Sequence, residues 1–228
     1  MHPVVFVHGT RTSSAIWARQ VRTVREHGHT AVTVDLPGHG SRLDERFTFR
    51  GALRAIDHAV VGCAQPPVLV GLSLGGYASL AYAARHPRKV AGLVLSGCST
   101  EIRGKPLRFY RWASLRLAEA LRPGRHTWHV VADMLAAMRG YSPIGDLRRL
   151  AEHVHLPLPV HLVNGARDPL RLDERRFLVA HPRAQLHVVP RAGHDVNSHA
   201  PATFDRLLVH VLRELRSHAP HPHAPGAT

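Results

Sequence analysis

Short apolar runs rich in β-branched residues recur along the chain, and each ends in glycine or polar turn residues. Residues 3–7, 30–34, 68–72, 90–96, 160–163 and 186–189 read as strands. The runs are continuous rather than alternating, the pattern of strands covered on both faces of a parallel sheet. Between them the apolar spacing changes to three and four. Ile16, Trp17, Val21 and Val24 predict a helix capped by Ser13 or Ser14 and closed by Gly28. Phe49, Leu53, Ile56, Val60 and Cys63 predict a second, and Leu80, Ala81 and Ala84 mark a third that stops at His86-Pro87. Phe204, Leu207, Leu208, Val211, Leu212 and Leu215 line one face of a final helix starting near Pro201. Alternating strands and helices predict an α/β fold, a mostly parallel sheet of about six strands flanked by helices.

The rhythm changes between 99 and 156, where no strand pattern occurs. About two to four helices are expected there, inserted between two strands of the sheet. The predicted organisation is therefore a core of residues 1–98 and 157–216, a helical insertion of 99–156, and a Pro-, His- and Ala-rich tail of 217–228 without periodicity. No internal repeat is found.

Hydrophobic residues make up 44% and charged residues 20% of the 228, which places the chain among globular proteins. Its formal net charge of +14 raises the question of an anionic partner. The positive residues are almost all arginines scattered along the chain, without a dense block or an aromatic-plus-basic recognition motif, so no nucleic-acid partner is expected. Cys63 and Cys98 sit in apolar contexts and read as buried thiols rather than a disulfide or metal pair. The first residues lack the apolar stretch of a signal peptide, and no run approaches the ~20 residues of a membrane helix. A cytoplasmic protein with no membrane span is expected. The histidines of the tail, His218, His221 and His223, are read as solvated, and no metal or cofactor is expected.

The chemistry lies at the strand ends. Val68–Leu72 runs directly into Gly71-Leu72-Ser73-Leu74-Gly75-Gly76, and a helical pattern follows at once. A serine there sits on a sharp strand-to-helix bend with its hydroxyl pushed outward. A hydroxyl is a poor nucleophile at neutral pH and needs a base oriented by a carboxylate. Asp168 follows the strand at 160–163, and His194 follows the last strand after Gly193. Parallel strands bring these ends to one edge of the sheet, where open α/β sheets place their ligands. Glu101, after the strand at 90–96, competes with Asp168 for the role of the acid. An acyl-transfer site also needs two N–H donors where negative charge develops. Leu74, directly after the serine, and Thr10, in the loop after the first strand, are placed to supply them from the backbone.

These landmarks, with His8-Gly9, Trp17 and Asp35-x-x-Gly38-x-Gly40, resemble the α/β-hydrolase family from about residue 3 to 215. The resemblance implies a Ser-His-Asp triad of Ser73, His194 and Asp168 and a lid formed by the 99–156 insertion. The chain opens directly on the His-Gly strand, without the antiparallel strands that often precede it, as in the compact members of the family. Asp195, beside His194, is a departure from its usual neighbours. Phe109, Trp112, Trp128, Met134, Met138 and Tyr141 are candidates for an apolar pocket wall in the lid. The implied activity is hydrolysis of a small apolar carboxylic ester through an acyl-enzyme. The same residues would also serve C–C bond, lactone or thioester hydrolysis or cofactor-free perhydrolysis, and a receptor that kept the fold is the alternative of another class.

Overall fold

The six apolar runs fold as β1 (Val4–Val7), β2 (Ala31–Val34), β3 (Val68–Leu72), β4 (Gly92–Ser96), β5 (Val160–Gly165) and β6 (Gln185–Val189). The computed structural model describes residues 1–104, 127–153 and 158–217. Phe109, Trp112 and the tail histidines therefore lie outside the described residues. The strands form one sheet in the order β2-β1-β3-β4-β5-β6, with every neighbouring pair parallel. Every residue of β1, β3, β4 and β5 is buried, as their continuous apolar sequences require. The edge strands β2 and β6 are partly exposed.

The helices are α1 (Ala18–Glu26), α2 (Phe49–Val61), α3 (Leu74–Arg85), α4 (Thr127–Met138), α5 (Pro143–Glu152), α6 (Glu174–Ala180), α7 (Val196–His199) and α8 (Pro201–Ser217). On one face of the sheet, Val24 of α1 and Phe204, Leu208 and Leu212 of α8 pack with Phe6, Val70 and Val163. Trp17, at the end of a 3-10 turn before α1, is fully buried between Phe6 and Phe204, with ring centroids 5.2 and 5.8 Å away. On the other face, Ile56 of α2, Leu80 of α3, Leu147 of α5 and Phe177 of α6 pack with Leu69, Leu93 and Leu162. No helix among the described residues is long and apolar enough to cross a membrane.

Two helices of the 99–156 stretch are described. Ser142 caps α5 by accepting from the Gly145 N–H at 3.1 Å, and Pro143 opens the helix with φ already set. Ile144, Leu147 and Leu150 of α5 are buried in the core, against α3 and α6. Helix α6 carries no apolar period in the sequence. It has seven residues, of which Phe177 and Ala180 are buried, too few turns for a pattern to repeat.

Strand order positions the site. β2 lies on one side of β1 and β3 to β6 lie on the other, so the chain changes direction between β1 and β3 and leaves a crevice at their carboxyl ends. Helix α3 starts in that crevice, and two glycines permit it. A Cβ on Gly75 would stand 2.2 Å from the Val7 carbonyl oxygen, and one on Gly71 2.5 Å from that of Gly75.

Two consequences are open to measurement. Gly75→Ala must displace backbone rather than a side-chain tip, so it is expected to cost about 3 kcal/mol or more, read as a lower urea midpoint. Acid should weaken the fold. His8 and His161 are buried and held down to about 4, chiefly by burial, with His39 and His187 respectively adding repulsion. Both are neutral in the fold and free to protonate in the unfolded chain. The stability they contribute is complete above the ordinary histidine pKa of about 6.5 and is lost as pH falls towards 4. The urea midpoint is expected to fall across that window.

Candidate active site

Ser73 stands between β3 and α3 with φ 51° and ψ −114°. Among the described non-glycine residues only Arg11 and Arg191 share a positive φ. Such a conformation costs roughly 1–3 kcal/mol and persists where the surroundings over-determine it. Here the Ser73 N–H donates to the Ser96 carbonyl at 2.7 Å, and the Tyr77 N–H donates to the Ser73 carbonyl at 3.0 Å. Gly9 closes the other side, since a Cβ there would lie 3.3 Å from the Ser73 Cβ.

Asp168 and His194 come together across the neighbouring strand ends. The His194 Nδ1–H donates to Asp168 Oδ2 at 2.9 Å, and the Leu170 N–H donates to Oδ1 at 2.8 Å, so both carboxylate oxygens are engaged. The two loops are held in register by close backbone packing. Arg167 N–H donates to the Ala192 carbonyl at 2.9 Å, and a Cβ on Gly165 would fall 2.1 Å from the Gly193 oxygen. Gly97, at φ 61°, lets the chain pass beneath the imidazole, where a Cβ would lie 3.0 Å from its Cε1. Burial alone would push this imidazole down. The hydrogen bond and charge of Asp168, with the charge of Asp195, overcome burial and hold His194 above the ordinary histidine value. With Nδ1 committed to Asp168, Nε2 is the nitrogen left for proton transfer.

Glu101 does not reach His194. Its carboxylate accepts from Ser142 Oγ at 3.0 Å and from the Ile144 and Arg103 N–H groups at 3.3 Å, fixing the start of α5.

The loop after β1 is held by residues whose role is not evident from their types. The Leu36 N–H donates to His8 Nε2 at 3.1 Å, and His8 Nδ1–H donates to the Gly9 carbonyl at 2.7 Å, which requires the neutral ring. Asp35 accepts from Ser14 N–H at 2.7 Å and from Ser41 N–H and Oγ at 3.0 and 2.9 Å. Burial opposes its ionisation, but these donors prevail and hold its carboxyl down to about 2. The Asp35-x-x-Gly38-x-Gly40 turn thus ties the loop carrying Thr10 to the end of β2. Thr10 Oγ donates to Met134 Sδ at 2.8 Å, joining that loop to α4.

A cavity of ≈ 120 Å³ lies between these loops, and Ser73, His194, Thr10 and Leu74 all line it. The Leu74 N–H opens α3 and belongs to the first turn, whose donors lack intrahelical partners. The rest of the wall is mainly apolar, with Tyr77, Ile102, Val131, Met134, Leu135 and Met138. Of the expected lid residues, Met134 and Met138 are in the wall. Tyr141 is not. It is buried behind the wall, its hydroxyl donating to the Tyr77 carbonyl at 3.1 Å. The Trp128 side chain lies outside the described residues. Thr100, Ile102, Leu170 and Tyr77 are additional wall residues. Tyr77 carries a legible signal, because it stands four residues after Ser73 on the same helical face. Among the described residues no group of three or more His, Cys, Asp or Glu could hold a metal ion.

Comparison with known proteins identifies the family and the fold. The model of the alpha/beta hydrolase family matches residues 4–207. A pimeloyl-[acyl-carrier protein] methyl ester esterase of Xylella fastidiosa is 38% identical over 182 residues, covering 77% of this chain and 70% of its own. A 2-succinyl-6-hydroxy-2,4-cyclohexadiene-1-carboxylate synthase of Enterobacter is 26% identical over 247 residues, covering 92% of this chain and 91% of its own. Among solved structures, a carboxylesterase of Nitrososphaera gargenis superposes with a TM-score of 0.77 at 18% identity, covering 95% of this chain and 91% of that one, which is a likeness of fold.

The electrostatics of His194 can be read without any substrate. In a ¹⁵N NMR titration its imidazole is expected to titrate above the ordinary histidine value, and Asp195→Asn is expected to move that titration to lower pH. A titration at or below the ordinary value in the native protein would contradict the pairing with Asp168.

Proposed function

Because the chain belongs to the alpha/beta hydrolase family and is an enzyme whose homologues are esterases and hydrolases, we propose that it cleaves a small, apolar carboxylic ester through an acyl-enzyme on Ser73. The observation that carries this reading is the 2.9 Å bond between buried Asp168 and His194 beside the same cavity as the strained Ser73.

Ser73 Oγ attacks the ester carbonyl carbon while His194 Nε2 takes the hydroxyl proton. Asp168 holds the Nδ1–H tautomer and stabilises the imidazolium that forms. Charge collects on the former carbonyl oxygen, which the Thr10 and Leu74 N–H groups receive; each such donor is worth about 3 kcal/mol in the transition state. The intermediate collapses, His194 returns its proton to the leaving alcohol, and Ser73 keeps the acyl group. A water activated by the same histidine then releases the acid. Because His194 works as a neutral base, activity rises as pH increases through its elevated pKa.

The cavity supports a small acyl or alcohol group. Its ≈ 120 Å³ is near the ~150 Å³ of an engineered cavity that binds benzene, and its apolar wall favours groups without charge. A different reaction on the same residues is the second reading, favoured by the likeness to a synthase over 92% of the chain. Expected candidates are C–C bond, lactone or thioester cleavage or cofactor-free perhydrolysis.

Fluorophosphonate labelling tests the nucleophile, and a panel of p-nitrophenyl esters tests the substrate. Wild type is expected to label and to hydrolyse short acyl chains faster than long ones. Ser73→Ala should not label and should lose on the order of 10⁶ in kcat. A folded wild type that neither labels nor turns over any ester would overturn the assignment of Ser73. Labelling without ester turnover would favour the second reading.

A further inference from the structure

Behind the wall of the catalytic cavity lies a larger groove of ≈ 520 Å³, and five arginines line it. Arg85 comes from α3, Arg103 from the segment after β4, Arg148 and Arg149 from α5, and Arg176 from α6. They are far apart in the sequence and are gathered only by the packing of α5 between α3 and α6. Two carboxylates share the groove, Glu101 and Asp146. Asp146 is buried beneath and is taken by Arg149 at 2.8 Å and Arg85 at 3.7 Å. Arg176 pairs with Asp173 at 3.0 Å, just outside. Among the described residues the guanidinium groups of Arg103 and Arg148 make no ion pair or hydrogen bond.

Gathering like charges in one concavity raises the local potential and favours anions there. A guanidinium presents a planar fork of N–H donors that matches carboxylate and phosphate oxygens, and it stays charged at any working pH. The groove has the size of a small-molecule site, on the order of 300–1,000 Å³, whereas the catalytic cavity is apolar and much smaller. We propose that the groove binds a small, soluble, multiply charged oxyanion, a phosphate ester or a polycarboxylate, at a site separate from the catalytic cavity. The two spaces share a wall. Thr100 and Ile102 face the cavity while Glu101 and Arg103 face the groove, and Met138 and Ala137 divide in the same way. A bound anion would therefore contact the catalytic wall from behind.

The test is calorimetric titration of the full chain at low ionic strength, about 50 mM salt, to limit screening. Inorganic pyrophosphate and citrate are the two probes. Saturable binding of at least one is expected, with pyrophosphate alone assigning the phosphate class, citrate alone the carboxylate class, and both a site that reads charge. Arg103→Gln with Arg148→Gln, which removes two guanidinium groups that hold nothing among the described residues, is expected to weaken binding about tenfold or more, or 1.4 kcal/mol. Arg22→Gln with Arg213→Gln removes the same charge from exposed positions on α1 and α8 and should change affinity less than about twofold. Ser73→Ala should bind as wild type does, so the result stands whatever the fate of the nucleophile. Equal weakening by the two double variants, or no saturable binding of either probe, would overturn the proposal.

Discussion

The close approach of α3 to the carboxyl ends of β1 and β3 is the constraint on which the candidate site depends. Backbone lies against backbone where a Cβ on Gly75 or Gly71 would stand 2.2 or 2.5 Å from a carbonyl oxygen. That approach forces the bend at Ser73, sets its φ at 51°, and brings the first N–H groups of α3 beside the loop after β1. The sheet supplies the rest. Because all six strands run parallel, the loops carrying Ser73, Asp168 and His194 emerge on one edge. Local glycines set the strain, and global topology sets the convergence; neither alone would bring a strained Ser73 to the edge where Asp168 and His194 meet.

Much of this was legible in the chain. Buried parallel strands leave continuous apolar runs, and turn residues at their ends mark where chemistry can stand, so the six strands and the Ser73 and His194 positions could be read directly. What could not be read depends on tertiary placement. Helix α6 is too short to show a period, and α5 is amphipathic whichever surface it packs on, so its place in the core layer was not visible. Glu101 and Asp168 both follow strands, and only the folded geometry separates a carboxylate that caps α5 from one that meets His194. Tyr141 and Met138 are three residues apart and apolar in character, yet one packs behind the cavity and the other lines it. The five arginines of the groove come from four separate segments, so no window of sequence holds them.

The cavity and the groove divide the polar character of the molecule. Ester chemistry in a small apolar space gains from the exclusion of water, which strengthens each interaction with developing charge. The positive charge of the chain is kept out of that space: Arg11 is the arginine among its lining residues, while the groove behind carries five. The Thr10–Met134 contact joins the loop after β1 to α4, so the position of that helix and the position of that loop are coupled.

The exposed edge strand β6 has a consequence of its own. His194 hangs on the loop after it, and among the described residues β6 is hydrogen-bonded on one side only, to β5. Sheet edges open more readily than their centres. Fraying of β6 would carry His194 away from Ser73 while β1, β3 and β4 remained paired. The juxtaposition of His194 with Ser73 is therefore less protected than the centre of the sheet. During synthesis Ser73 emerges long before His194, and the two come together only when the last strand docks.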